Sequence, residues 1–242
     1  MKFNAAILAA MGLLCLQTAH AGPADYVYTP TVEAGEKEID FKFGTEDSRP
    51  RDSMASLGLG YGATDWWFTE IYVKYAREGN GGIKYDAFEW ENKFQLTETG
   101  KYPIDFGIIT EIEIPKDNDE GIEFKFGPLF QTEFGKLQLN ANLLFEKIFD
   151  AADPEPVQIG YQLQAKYRWL PAFEYGLQGL GEMGKWNHWS PTSEQEHKLG
   201  PAIFGKLALG SHAAIKYNAA WLFGLTNNTP DNTIRTQIEL EF

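Results

Sequence analysis

Thr236-Gln237-Ile238-Glu239-Leu240-Glu241-Phe242, the last seven residues, decide the fold. Ile238, Leu240 and Phe242 alternate with Gln237, Glu239 and Glu241. Successive side chains of an extended chain point to opposite faces, so this strand has one oily and one wet side. The same period recurs upstream. Across residues 157–169 every odd position is apolar or aromatic, and every even position is Gln, Gly, Lys or Arg. Leu137-Gln138-Leu139-Asn140-Ala141-Asn142-Leu143 follows the same rule, as does Ile122-Glu123-Phe124-Lys125-Phe126. Residues 104–114 place Asp105, Glu111 and Glu113 on the wet side. No segment shows a convincing helical period.

Marking every such run predicts about twelve strands, over residues 36–44, 54–63, 66–76, 83–96, 103–115, 121–134, 136–149, 156–169, 172–186, 196–208, 212–224 and 232–242. Most exceed the five or six residues usual for soluble strands and suit a tilted membrane strand. The connectors fall into two alternating sets. Thr64-Asp65, Gly135-Lys136, Leu170-Pro171 and Leu209-Gly210-Ser211 are short, with 97–102 the longest of that set. Residues 45–53, 77–82, 116–120, 150–155, 187–195 and 225–231 are longer and polar. Alternation of short turns and long loops belongs to a membrane barrel with both termini on the short-turn side. A soluble Greek-key sandwich, the alternative fold, has no reason to alternate this way.

The terminal strand resembles that of Gram-negative outer-membrane β-barrels, whose final aromatic and alternate apolar residues are read by the barrel-assembly machinery. The other end of the chain agrees. Lys2, an apolar run over 5–16 and Ala19-His20-Ala21 have the form of a signal peptide, the run being too short to span a bilayer. Leu14 before Cys15 speaks against a lipoprotein signal, and Cys15 is the sole cysteine. After cleavage no disulfide or thiolate chemistry is left. The expected organisation is a signal peptide over 1–21, a periplasmic N-terminal segment over 22–35 and a barrel over 36–242. The fold class is therefore all-β: a single transmembrane antiparallel β-barrel of about 12 strands with periplasmic termini, in the outer membrane of a Gram-negative bacterium. Segment 22–35 carries Pro23, Tyr26, Tyr28 and Pro30, and either hangs as a tail or tucks into the lumen.

Composition fits this reading. The 242 residues carry a formal net charge of -13, which excludes nucleic acid as an expected partner. Mean hydropathy is -0.34, as for a soluble protein, but lumen-facing residues cancel lipid-facing ones in a barrel. Aromatic residues make up 14% of the chain and gather toward strand ends. Trp66, Trp67, Trp169, Tyr175, Trp186, Trp221 and Phe242 form the expected girdle at the headgroup level. The inner face is expected to carry Glu89, Glu91, Lys93, Asp105, Glu111, Glu113, Glu123, Lys125, Glu133, Lys166, Arg168, Glu182, Lys206, Lys216, Arg235 and Glu239 as pore-lining groups. Such charges are tolerated only in a wet lumen or in a web of ion pairs. Twelve strands lie between a self-filled barrel and an open porin, so a narrow pore and an occluded lumen are both compatible. Excess carboxylate across residues 105–133 would favour cations.

Little of the sequence points to catalysis. His188 with Ser190, and Ser211 with His212, are the close Ser/His pairs, and neither has an evident orienting partner. Some twelve-stranded outer-membrane barrels process lipids, which keeps a lipid-modifying enzyme as a lesser alternative. No catalytic residue, metal site or cofactor is assigned. Lys116-Asp117-Asn118-Asp119-Glu120-Gly121 is half of a calcium loop without the closing Glu. Gly58-Leu59-Gly60-Tyr61-Gly62-Ala63-Thr64-Asp65-Trp66-Trp67 resembles the hairpin of an outer-membrane family named for phenol meta-pathway degradation, whose members are presumed transporters. The expected function is a channel or porin-like transporter for small solutes of unknown identity. Outer-membrane lipids, lipopolysaccharide and the assembly machinery are the expected partners. A closed barrel with a structural or surface-binding role is the alternative.

Overall fold

The computed structural model describes residues 22–47, 52–77, 81–152 and 154–242; the expected signal peptide lies outside them. The strands are β1 (Lys37–Glu46), β2 (Ser53–Gly62), β3 (Trp67–Arg77), β4 (Lys84–Gln95), β5 (Asp105–Pro115), β6 (Ile122–Phe134), β7 (Leu137–Phe149), β8 (Gln158–Leu170), β9 (Phe173–Lys185), β10 (His188–Trp189), β11 (Glu196–Ala208), β12 (Ala214–Gly224) and β13 (Asn232–Glu241). β10 is a two-residue spur on the end of β9. The other twelve pair antiparallel, each with its neighbour in sequence, and the ring closes where β13 meets β1. Ile39 lies opposite Leu240 and Phe41 opposite Ile238. Closure removes both edges of the sheet.

The period-two pattern located every barrel strand to within two residues at each end. It missed the β10 spur and the 3-10 turn Asn118–Glu120, both too short to show a period. In that turn the Asp117 carboxylate accepts the Asp119 N–H at 3.1 Å, so the acidic loop first serves to cap itself.

Side chains sort as alternation requires. Leu57, Leu59, Ile71, Leu163, Leu199, Ile203 and Ile238 point outward and are exposed. In water they would make a continuous apolar belt, which a soluble domain does not present. In hydrocarbon the same belt is the stable arrangement. Trp66, Trp169, Tyr175 and Phe242 are exposed near the short-turn end, and Trp186 and Trp221 toward the long-loop end. Trp67 is half-buried; its indole N–H donates to Asn92 Oδ1 at 3.0 Å on the outer surface. Gly135, at φ 62, makes the tight β6–β7 turn.

The outer belt can be tested at its middle. Leu163→Arg should cost about 2–4 kcal/mol in lipid. Urea titration of folding into vesicles should show the loss, whereas Leu163→Ile should fold like the parent.

Candidate functional site in the barrel lumen

Inward positions build three layers. Toward the long loops, Lys74 binds Glu89 at 3.0 Å and also Glu113. Lys125 lies 3.2 Å from both Glu111 and Glu123 and 3.9 Å from Glu146. Lys198 reaches Glu46 at 3.1 Å across the chain closure. Glu182, also inward, lies beside Glu146 and Asp25.

At the waist, buried carboxamides form a ladder beside the charges of Arg235, Glu91 and Glu111. Gln178 donates to Gln164 at 2.6 Å, Gln164 to Asn140 at 3.2 Å, and Asn140 to Gln131 at 3.0 Å. Gln138 donates to both Asn140 and Gln131. An amide both donates and accepts, so such a ladder can be satisfied without a counter-charge.

The segment 22–35 runs through this waist. The structure thus takes the second of its two sequence-level alternatives, inside the barrel rather than hanging from it. Val27 packs against Leu180, Ala202, Phe204, Ala220 and Leu222. The next residue, Tyr28, packs on the other side against Ile109, Leu129 and Leu144. An extended segment alternates its side chains, so two neighbours can wedge against different walls. Polar groups fix the segment further. Tyr26 Oη donates to Glu91 at 3.1 Å and Tyr28 Oη to Glu111. The Tyr28 N–H donates to Gln162 at 3.1 Å, and its carbonyl accepts from Asn142 at 3.0 Å. Val32 N–H donates to Gln95 at 2.7 Å, and Arg235 donates to the Asp25 carbonyl and to Gln178. The wall is cut to fit: a Cβ on Gly44 would overlap the Pro23 carbonyl oxygen, and one on Gly62 the Glu33 carbonyl oxygen.

Toward the short turns a cavity of about 970 Å³ remains. Lys166, Arg168 and Lys206 line it from β8 and β11, Glu38, Glu70 and Glu91 from β1, β3 and β4 across the ring, and Lys216 and Glu239 stand side by side on β12 and β13. Several of these are paired: Lys166 with Glu174 at 3.3 Å, Arg168 with Glu133 at 2.6 Å, Lys206 with Glu241 at 2.6 Å. Lys216 meets Glu36, Glu239 and Glu241. The Glu36, Glu38 and Glu241 carboxylates come within 4.8 Å of one another, as metal ligands could, but Lys216 already answers their charge. Lys93 sits 4.9 Å from the Phe68 ring. Asp105 also faces inward, where its carboxylate accepts the Gly100 N–H at 2.8 Å and holds the β4–β5 turn.

The expected pore-lining set therefore shares the inner face, but layered and largely paired rather than lining one open bore. Pattern reading did not find that Tyr26, Val27 and Tyr28 fill the waist. A signal was present: Ile109, Leu129, Leu144, Leu180, Phe204 and Leu222 are apolar at inward positions, which a water-filled bore does not explain. The histidine in a built setting is His197. Tyr161 Oη lies 2.9 Å from its Nδ1 and Gln195 Oε1 2.8 Å from its Nε2, on the outer wall. His188 is exposed on the spur, and the Ser190 backbone is tied to Met183 and Gln195.

This barrel has close counterparts in shape. The chain superposes on the COG4313 outer membrane channel from Pseudomonas putida F1 with a TM-score of 0.63 at 13% identity, covering 92% of this chain and 100% of that one. The fold is that of the outer-membrane β-barrels. The KdgM porin, solved in complex with disordered oligogalacturonate, matches at TM-score 0.54 and 8% identity over 85% of this chain and 98% of its own. The NanC porin matches at TM-score 0.56 and 8% identity over 84% and 98%. No protein-family model and no curated protein sequence matches the chain. At these identities the likeness concerns the fold alone.

Tyr28→Ala removes a buried ring and leaves Glu111 without its phenol. It should lower stability by about 3–5 kcal/mol, as for truncation of a buried aromatic. Tyr28→Phe keeps the ring and should cost about 1–3 kcal/mol, the penalty for an unsatisfied buried acceptor. Denaturant midpoints of the refolded protein distinguish the two.

Proposed function

We propose that the chain is an outer-membrane channel for small polar solutes, held closed at rest by residues 22–35. The observation that carries this reading is the segment itself. A closed barrel, polar and charged on its inner face, is crossed at its waist by a piece of chain that is continuous with β1 only through a short connection. Wedging it out would join the two charged halves of the lumen. Residues 1–21 act as the export signal, and the C-terminus and the start of β1 face the periplasm, while residue 22 lies inside the lumen beside Met54. Lipids, lipopolysaccharide and the assembly machinery are then the partners of the outer belt, the long loops and the terminal strand. The pore-lining role falls to the inward charges named above. Toward the long loops the carboxylates of Glu46, Glu89, Glu113, Glu123, Glu146 and Glu182 outnumber the ammonium groups of Lys74, Lys125 and Lys198. A ring with that excess favours cations.

Planar-bilayer recording tests the proposal. The chain from residue 22 should conduct weakly and intermittently. A chain beginning at residue 34 should conduct steadily, and in a potassium chloride gradient its reversal potential should take the sign of cation selectivity. Silence from both proteins at every voltage overturns the channel reading. It would favour the alternative of a closed scaffold, which the buried hydrogen bonds of Tyr28 also support. A lipid-modifying activity has less support, because both ring nitrogens of His197 are occupied by a phenol and a carboxamide.

A further inference from the structure

The registers of β13 and β1 to β6 place a row of inward carboxylates side by side. Glu241 lies opposite Glu38, Glu38 opposite Gly60, Gly60 opposite Glu70, Glu70 opposite Glu91, and Glu91 opposite Glu111. Like charges directly opposite one another repel, so such a row needs donors or cations. Most of it has them. Lys216 meets Glu241, the Tyr26 phenol meets Glu91, and the Tyr28 phenol and Lys125 meet Glu111.

Glu70 differs. Its side chain is 2% exposed, it lines the 970 Å³ cavity, and its Oε1 has no hydrogen-bond partner among the described residues. Asp40, 1% exposed on the same wall, likewise leaves Oδ1 unpaired, its Oδ2 taking the Tyr72 phenol at 2.8 Å and Gln237 at 3.0 Å. The place is built rather than accidental, since a Cβ on Gly58 would strike Glu70 Oε1 and the Tyr72 ring. A buried carboxylate oxygen without a donor is costly, which makes it a strong acceptor for any cation able to enter.

Two side chains of the protein show which cations this wall accepts. Lys42 Nζ lies 3.8 Å from the Tyr26 ring centroid, 3.6 Å from that of Tyr72 and 3.6 Å from Asp40 Oδ2. Lys93 Nζ lies over the Phe68 ring, also on the cavity wall. Ammonium between ring face and carboxylate is favourable in a desolvated setting. We propose that this wall binds a small organic ammonium ion, its charge on Glu70 beside Glu38 and Glu91, its apolar part along Phe68. The basic groups across the cavity would turn a bound amine's remaining polar end toward them.

The test uses the full chain from residue 22, refolded in detergent, with benzylammonium chloride as probe. Calorimetric titration should give saturable one-to-one binding. Glu70→Gln should weaken it about tenfold, the loss expected for one charge-assisted contact, and Glu123→Gln in the other half of the lumen should leave it unchanged. Heat-modifiable gel migration checks that each variant folds. A measurement on the unaltered chain stands beside these: carbodiimide coupling at Glu70, read by peptide mapping, should be slowed by benzylammonium and not by equal sodium chloride. Equal binding by Glu70→Gln, no saturation up to about 50 mM, or equal protection by sodium would each overturn the proposal. The site rests on the lumen reading only in that its ligand enters from the short-turn end. Binding is measured without conductance, so silent bilayers with saturable binding would overturn the channel and leave the site standing.

Discussion

Everything in this molecule depends on the pairing of β13 with β1. In a hydrocarbon layer no water is available to a free backbone N–H or C=O, so a sheet is stable there only when it has no edge. The registers of Ile39 with Leu240 and Phe41 with Ile238 close the ring. Once it is closed, each strand presents alternate residues to lipid and to the interior, and the chemistry of both is constrained at once. The outer face must be apolar over the membrane and aromatic at its borders. The inner face is free of that demand, and this chain fills it with charge and carboxamide.

A charged interior has its own cost, and the way it is met differs by layer. Toward the long loops, lysines sit among two or three carboxylates each. Such buried pairs are weak evidence for stability, since desolvation offsets much of their attraction. They fix which side chain lies where. At the waist the amides of Gln178, Gln164, Asn140 and Gln131 hydrogen-bond in series. There segment 22–35 passes between two inward apolar clusters.

Legibility in the sequence followed the strength of the local rule. Alternation is a property of single strands, so residues 157–169 or 236–242 announce themselves without any knowledge of their neighbours. Inward or outward placement of Glu89, Lys125 or Glu239 follows from the same rule. Who pairs with whom does not, because the Lys125 partners come from three different strands. Residues 22–35 carry two prolines and no period, so nothing local told a tail from a lumen segment. The clue was distributed: Ile109, Leu129 and Leu144 on one wall and Leu180, Phe204 and Leu222 on another, oily where the pattern called for water. Gly44 and Gly62 add to it, as inward positions with no side chain, each facing a carbonyl of the segment.

The fastening of that segment differs in kind from that of the wall. It is held by two wedged side chains, two phenols and a handful of backbone hydrogen bonds, one of them from Arg235 to the Asp25 carbonyl. Burying a side chain such as Val or Tyr is worth about 1.5–3 kcal/mol, and a neutral hydrogen bond about 1 kcal/mol net. Ordering the segment's backbone costs about 1–2 kcal/mol per residue and offsets much of that sum. The barrel wall has no comparable latitude, because each of its strands is hydrogen-bonded along its length on both sides. Side-chain fastening and a continuous backbone ladder thus belong to different parts of one chain. The division falls at the start of β1, where the segment ends and the ring begins.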